Sequence, residues 1–214
     1  SPMSRLKLYL FGPMQAIVAG KTLHFATTKV QALLAYLALE PERPYRREQL
    51  AALLWPDQPD ADARRNLRLT LHRLRQTFAE AAPDLADSLI SAGRSTVRWH
   101  GDAVTVDVAQ FMHLITQTET HDHPWLDACA DCRQRLETAA SLLGGELLAG
   151  LSLDDAMPFE EWLLVQREFI HHRALRLYAT LADITENRGD YAAALDYAQR
   201  QLALEPWYEA AHRQ

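Results

Sequence analysis

The stretch RREQLAALLWPDQPDADARRNLRLTLHRLRQTF, residues 46–78, decides the fold of this chain. Its first part has leucines at helical spacing and predicts a helix over residues 46–55, which Pro56 ends. Its second part predicts a longer helix that begins at about residue 60 and ends at residue 78 or 79. A short loop with two prolines therefore joins two predicted helices.

The longer helix has two different faces. We expect Asp60 or Asp62 to cap it, because an aspartate side chain can accept a hydrogen bond from the free N–H groups of a first turn. At about 100° per residue, its apolar residues form one buried stripe of Ala63, Leu67, Leu71, Leu74 and Phe78. The opposite face carries Arg65, Arg68, Leu69, His72, Arg73 and Gln76.

The charge of that opposite face is unusual for a solvated helix. Residues 64–79 contain five arginines and no acid. A surface helix normally mixes charges, because unlike charges four positions apart attract and like charges there repel. The pattern therefore favours a face that binds an external anion over one that is merely solvated.

The preceding sequence supplies strands and a further helix. Three strands are predicted over residues 6–11, 15–18 and 21–24, with a tight turn at Ala19-Gly20 between the last two. They indicate a small antiparallel sheet. A helix over residues 28–39 follows, with one of two threonines at its start as the N-cap.

The sequence after the basic helix predicts a hairpin. Strands are expected over residues 89–92, 95–100 and 104–107, with Arg94 and Arg98 at or near the tip. Three helices, the last of them basic, followed by a basic β-hairpin describe an α+β winged helix-turn-helix domain.

Together these features resemble a known family. The N-terminal strands, the segment at residues 46–78 and a hairpin that ends in VTVDVAQF, residues 104–111, are similar to the OmpR-type winged helix of the SARP regulators, the antibiotic regulatory proteins. In that family a bacterial transcriptional activator domain follows the winged helix. The resemblance covers nearly the whole chain and implies a sequence-specific DNA-binding transcription regulator that acts as an activator.

The resemblance also implies how the parts meet double-stranded DNA. The basic helix enters the major groove, the hairpin touches the neighbouring minor groove or backbone, and the loop before the basic helix meets RNA polymerase. Base or near-base contacts fall on Arg68, Leu69, His72 and Arg73. Backbone contacts fall on Arg65, Thr70, Arg75 and Arg94. A homodimer on paired half-sites is a further implication.

The distribution of charge agrees with a polyanionic partner. The formal net charge is -6, but residues 1–108 hold 14 Lys and Arg against 11 Asp and Glu, whereas residues 109–214 hold 8 against 17. This asymmetry indicates that the first half meets a polyanion and the second does not. An arginine in the major groove can donate two hydrogen bonds to O6 and N7 of guanine.

The second domain, residues 108–214, is predicted to be all helical and TPR-like. Residues 175–208 fit one 34-residue tetratricopeptide register. In that register Leu181, Ala182 and Ala194 take packing positions, Gly189-Asp190-Tyr191 makes the turn and Pro206 ends the unit. Because a lone repeat cannot bury its face, we expect the natural protein to continue beyond residue 214. This half is then a protein-interaction or regulatory module.

One cluster in the second half offers metal-binding side chains. His121, His123, Cys129 and Cys132 supply two imidazoles and two thiols, which are enough in kind for tetrahedral zinc. Their spacing is unusual, and the pattern also fits ordinary surface histidines and small helical residues. We therefore assign no metal site and expect no cofactor.

Composition and motifs exclude several other classes of protein. With 48% hydrophobic and 23% charged residues, the chain has the composition of a globular protein, and no apolar stretch reaches the length of a membrane-spanning helix. We expect a cytoplasmic protein that does not bind membranes. No phosphate-binding loop, dinucleotide fingerprint or nucleophile elbow is present, so we predict no enzyme activity. The alternative function is a protein-interaction adaptor whose winged helix serves for docking.

Overall fold

The computed structural model describes residues 6–40 and 43–212, with side chains as far as residue 204. The chain divides into two compact units. The first runs to Ala109 and includes Leu148–Leu164, and the second comprises Gln110–Leu147 and the chain from Val165 onward. Both sheets lie in the first unit.

A four-stranded sheet begins the first unit. Its strands are β1 (Leu6–Tyr9), β2 (Gln15–Val18), β3 (Lys21–Thr22) and β7 (Val104–Val106), in the order β3-β2-β1-β7. Ala19 and Gly20 have φ angles of 50° and 78°, so the tight turn predicted between β2 and β3 is confirmed. The prediction that residues 104–107 belong to the hairpin is wrong. β7 instead pairs in parallel with β1, where Val106 is buried in register with Leu8.

The helices of the first unit are α1 (Thr28–Leu39), α2 (Arg47–Leu54), α3 (Asp60–Ala81) and the short α4 (Leu85–Leu89), which was not predicted. The Thr27 side chain caps α1 by accepting a hydrogen bond from the Val30 N–H at 3.2 Å. The caps predicted for α3 are wrong, since Pro59 holds the N-cap position. Asp60 and Asp62 lie in the first turn, where their charge complements the helix dipole.

The wing is a three-stranded sheet made of β4 (Tyr45–Arg46), β5 (Ile90–Ala92) and β6 (Thr96–Trp99), in the order β4-β6-β5. β5 and β6 form the predicted hairpin, and β4 joins it from a segment that precedes α2. The Trp99 side chain is buried and its ring centroid lies 6.4 Å from that of Phe78 in α3. The predicted α+β winged helix-turn-helix is therefore confirmed.

The rest of the chain is helical, as predicted, with α5 (Asp107–Thr120), α6 (Ala130–Leu142), α7 (Met157–Asn187) and α8 (Tyr191–His212). Gly189, at a φ of 78°, makes the predicted turn between α7 and α8. The end predicted at Pro206 is wrong because α8 continues past it; a proline within a helix removes one backbone donor without necessarily ending the helix. The tetratricopeptide register itself stays a prediction.

None of the helices in residues 6–40 and 43–212 is both long enough and apolar enough to cross a bilayer.

Candidate nucleic-acid interface

The two faces predicted for α3 are present in the structure. The predicted stripe of Ala63, Leu67, Leu71, Leu74 and Phe78 is buried, with no member more than 4% exposed. Arg68, Leu69, His72 and Arg73 are exposed on the other side, and Leu69 keeps 46% of its surface in contact with solvent. A single exposed leucine is common on protein surfaces, so the unpaired cations around Leu69, rather than Leu69 itself, distinguish this face.

Arg68 and Arg73 are available for an external ligand. Side chains are described for residues 6–40 and 43–204, and within this part of the chain neither guanidinium forms a salt bridge with a carboxylate. Both side chains belong to exposed residues of a 22-residue helix whose inner side is fixed in the core. The helix therefore presents on its outer surface two exposed cations that no described carboxylate neutralises.

A groove of about 570 Å³ lies beside the N-terminal half of α3. It is bounded by the start of α2, the first turns of α3 and the turn of the wing. Six arginines line it, namely Arg46, Arg47, Arg64, Arg65, Arg68 and Arg94. Glu48 is the one acid in the lining described. Such a concentration of guanidinium groups creates a local positive potential in a chain of negative net charge.

The pairing of β4 with the wing brings Arg46 and Arg47 to this groove. Arg46 is in register with Thr96 of β6. The Arg47 N–H donates to the Ser95 carbonyl at 2.9 Å, and Arg47 Nε donates to the Gly93 carbonyl at 3.0 Å. These bonds hold the turn that carries Arg94 beside the start of α2.

Sequence reasoning did not include Arg46, Arg47 and Arg64, which line the groove, among its candidate DNA-binding residues. Arg64 lies next to Arg65 on the same acid-free helix, and this proximity was a signal that could have identified it. The Arg46-Arg47 pair was also visible as an arginine doublet. Its position beside the wing depends, however, on strand pairing across about fifty residues, which no local pattern encodes.

Arg65 and Arg98 are both exposed, but Arg65 already pairs with a carboxylate and Arg98 lies outside the groove. Arg65 donates to Asp62 Oδ1 at 2.9 Å, yet 66% of its side chain remains exposed. Exposed ion pairs contribute little to stability, so this one can open when a phosphate approaches. Arg98 is exposed on β6 opposite Ser91 and does not line the groove.

The structure argues against two of the backbone contacts that the resemblance implied. Thr70 is 5% exposed and lies with the buried residues of α3. Arg75 donates to the Ile90 carbonyl at 2.8 Å and to Asp87 Oδ1 at 2.6 Å. Its guanidinium ties α3 to α4 and β5, which is a structural role.

Replacing Arg75 by alanine is expected to lower the free energy of unfolding by about 1–2 kcal/mol. The Ile90 carbonyl loses a charged donor, whereas the bond to Asp87 adds little because that carboxylate is 81% exposed. Urea denaturation followed by the fluorescence of the buried Trp55 and Trp99 measures the change. Arg73→Ala on the same helix is the control and should stay within about 0.5 kcal/mol. Equal losses in both variants would contradict the structural role.

The candidate metal ligands lie in the second unit. His121, Cys129 and Cys132 come together there, with their ligand atoms all within 4.8 Å of one another. His123 lies next to this group, with its ring centroid 5.3 Å from that of His121.

Comparison with known proteins agrees with this architecture. Residues 20–94 match the family described as "Transcriptional regulatory protein, C terminal", and residues 106–214 match the "Bacterial transcriptional activator domain". The Regulatory protein AfsR of Streptomyces coelicolor is 27% identical over 204 residues, which is 95% of this chain and 19% of that protein.

Two mycobacterial proteins are also similar. The Transcriptional regulatory protein MoaR1 of Mycobacterium tuberculosis is 28% identical over 103 residues, 48% of this chain and 33% of that protein. The Transcriptional regulatory protein EmbR of the same species is 31% identical over 80 residues, 37% of this chain and 21% of that protein. The chain thus spans a third or less of the length of these curated relatives.

A solved structure confirms the fold over almost the entire chain. The structure of Mycobacterium tuberculosis EmbR in complex with a low-affinity phosphopeptide superposes with a TM-score of 0.62 at 20% identity. It covers 97% of this chain and 59% of the EmbR chain. Because the activator-domain family accounts for residues 106–214 and an OmpR-type winged helix precedes it, this chain belongs to the bacterial transcriptional activator domain family, among the SARP-type transcription regulators.

Proposed function

We propose that the chain binds double-stranded DNA at specific sequences and activates transcription. The observation that carries this proposal is the arginine-lined groove continuous with the exposed face of α3. A helix on a winged scaffold fits the major groove of B-DNA, and cations along its flank fit the phosphate backbone. No comparable concentration of cations lines the other cavities described in the chain.

The central residues of the face read the bases. Arg68 and Arg73 are long enough to donate two hydrogen bonds each to a guanine edge, and His72 stands beside them. Leu69 contributes an exposed apolar surface that suits the methyl group of thymine. These contacts discriminate between sequences, because each base pair presents a different pattern in the major groove.

The residues around the groove hold the phosphates. We assign this role to Arg46, Arg64, Arg65 and Arg94, which surround the groove from three elements. Phosphate contacts fix the register and orientation of the protein on the duplex without reading sequence. Arg47 supports them by holding the wing turn through the Gly93 carbonyl.

Binding should weaken steeply with salt. Four phosphate contacts release condensed counterions and give a slope of log K against log salt of about -3.6. Fluorescence anisotropy with a labelled random-sequence duplex at several salt concentrations measures it. Arg46→Ala and Arg94→Ala should each reduce the slope by about 0.9, whereas Arg188→Ala, which removes an exposed charge in the second unit, should leave it unchanged.

The same titration separates DNA binding from the adaptor function. A slope near zero, or no binding at about 100 mM salt, would contradict the proposal and favour a winged helix that docks onto protein. A slope that Arg188→Ala reduces as much as Arg94→Ala would show that binding follows net charge rather than this groove.

The remaining roles rest on the two families that the chain matches. We assign DNA binding to residues 1–107 and a regulatory, protein-binding role to residues 108–214, in a protein that acts on chromosomal DNA in the cytoplasm. The loop between α2 and α3 is exposed from Asp57 to Pro59 and is the segment we propose to contact RNA polymerase. We further propose a homodimer on DNA, which light scattering of the complex with its operator would show as two protomers per site.

A further inference from the structure

We propose that the second unit binds one zinc ion through His121, Cys129 and Cys132, with His123 as the fourth ligand. These residues surround the turn between α5 and α6 and the first turn of α6. This site is separate from the DNA interface, and its evidence does not depend on the proposed function.

The arrangement of the first three donors fits tetrahedral coordination. His121 Nδ1 lies 3.0 Å from Cys132 Sγ and 3.5 Å from Cys129 Sγ. In a tetrahedral site with Zn–S of about 2.3 Å and Zn–N of about 2.1 Å, neighbouring ligand atoms are separated by about 3.5–3.8 Å. All three donors already lie within 4.8 Å of one another, so small side-chain movements suffice to enclose an ion.

The kinds of donor select zinc among common divalent ions. Two thiolates and an imidazole suit zinc, whereas magnesium and calcium prefer oxygen ligands. Cys132 is fully buried and Cys129 is partly exposed, so the cluster has an inner and an outer side. The outer side gives an ion access from solvent.

His123 supplies the remaining coordination position. Its Nε2 is buried and has no hydrogen-bond partner among the described residues. Leaving a buried polar atom without a partner costs free energy, and a metal bond removes that cost. The His123 ring lies nearly perpendicular to the His121 ring, at 85°, with 5.3 Å between the centroids. His123 lies two residues from His121 but lines a neighbouring cavity beside Leu126 and Leu177, so its ring would have to turn from that cavity toward the cluster to bind the ion.

A bound ion would stabilise the loop between α5 and α6, which has little regular structure of its own. Residues 121–129 contain only a single 3-10 turn, Leu126–Ala128, and carry Trp125 at 75% exposure. A side-chain hydrogen bond from Asn187 to Asp127 at 2.6 Å is one further link to α7. A metal ion bridging both ends of this loop would stabilise the second unit, because ligand binding to the folded state raises stability.

Metal analysis of the full chain, expressed without a polyhistidine tag and purified under reducing conditions, tests the proposal. We expect about one zinc per chain, and a rise in the melting temperature when zinc is added to protein stripped by a chelator. Cobalt substituted for zinc should show thiolate-to-metal charge-transfer absorption together with the visible bands of a tetrahedral ion.

Variants identify the ligands. His121→Ala, Cys129→Ser and Cys132→Ser should each reduce the zinc content to less than about a tenth of an equivalent and abolish the thermal shift. His123→Ala should release zinc to a chelator at least about tenfold more readily than wild type. His113→Ala, which removes an exposed histidine of α5 outside the cluster, should behave as wild type.

Three results would overturn the proposal. Wild-type protein that takes up no zinc after reduction and reconstitution has no such site. A Cys129–Cys132 disulfide that forms readily and persists in the presence of zinc would assign the pair to redox chemistry instead. His123→Ala that retains zinc as tightly as wild type would show that the fourth ligand is wrongly assigned.

Discussion

Replacing Arg68 and Arg73 together by alanine is expected to abolish the preference for a specific DNA sequence. Each bidentate contact between an arginine and guanine contributes about 1–3 kcal/mol of discrimination, so the pair contributes about 2–6 kcal/mol, or at least about 30-fold in Kd. The operator is first selected from a pool of random duplexes. Affinity for that operator and for random DNA is then measured by anisotropy for both proteins.

The matched control for this pair is Arg46→Ala with Arg94→Ala. It removes the same charge from residues assigned to phosphates, so it should weaken operator and random DNA by the same factor. The two double variants therefore differ in specificity rather than in net charge. A loss that is equal for operator and random DNA in Arg68→Ala, Arg73→Ala would contradict base reading by these residues.

The folding of the base-contact variant should be intact. Arg68 and Arg73 form no salt bridge within the described part of the chain, and both are exposed. Exposed substitutions away from special features change stability by no more than about 0.5 kcal/mol. A thermal unfolding curve that matches wild type would therefore attribute any loss of binding to the interface itself.

The two faces of α3 could be predicted from sequence because helical periodicity is a local property. Spacing of Leu67, Leu71 and Leu74 fixes which side is buried, and the absence of acids marks the other side. The same local reasoning predicted the turn at Ala19-Gly20, whose conformation depends on two residues.

What sequence could not provide was pairing between distant segments. The groove exists because β4 joins β6, which places Arg46 beside the wing. Arg75 appears on the sequence as one more cation of the basic helix, but its partner is a carbonyl fifteen residues away in β5. β7 was likewise expected in the hairpin, but it pairs with β1 in the first sheet.

At Thr70 the resemblance and the helical wheel point in different directions. It follows Leu67 by three residues, which is about 60° from the centre of the buried stripe. The helical wheel alone would have placed it at the edge of the core, and the structure buries it there. Assigning functions by similarity is therefore safest for residues whose exposure the local pattern also supports.

Asp107 is a buried carboxylate that sequence reasoning treated as the end of a strand. It is 4% exposed and lies at the start of α5. Oδ1 accepts hydrogen bonds from the N–H groups of Leu10 and Val108 at 2.9 and 2.8 Å, and Oδ2 accepts one from Phe11 at 3.0 Å. One side chain thus joins the chain after β1 to the segment that follows β7.

The environment of Asp107 sets the direction of its pKa. Burial raises the pKa above the ordinary value of 3.8, and the backbone N–H groups of Phe11, Leu10 and Val108 oppose this shift without cancelling it. The folded state therefore binds the proton more tightly than the unfolded state. The contribution of this group to stability is fully present below its unfolded pKa and decreases as the pH rises through the folded pKa.

Asp107→Ala is expected to lower the free energy of unfolding by about 3 kcal/mol or more, because three buried N–H donors lose this acceptor at about 1–3 kcal/mol each. That is a large share of the stability of a typical domain. Urea denaturation followed by tryptophan fluorescence measures the loss. Asp84→Ala removes an exposed carboxylate at the N-cap position of α4 whose side chain makes no capping hydrogen bond, so it should change the value by less than about 0.5 kcal/mol.

Asp107→Asn separates the charge of this carboxyl from its size. Asparagine offers one carbonyl oxygen where aspartate offers two, and its amide group directs a donor at an N–H, so this variant should also be less stable than wild type. It cannot titrate, however. The difference in unfolding free energy between wild type and Asp107→Asn should therefore be largest at acidic pH and decrease as the pH rises above 3.8. A difference that grows with pH would mean that the ionised carboxylate is the form that the buried donors stabilise, and that hydrogen bonding outweighs burial at this position.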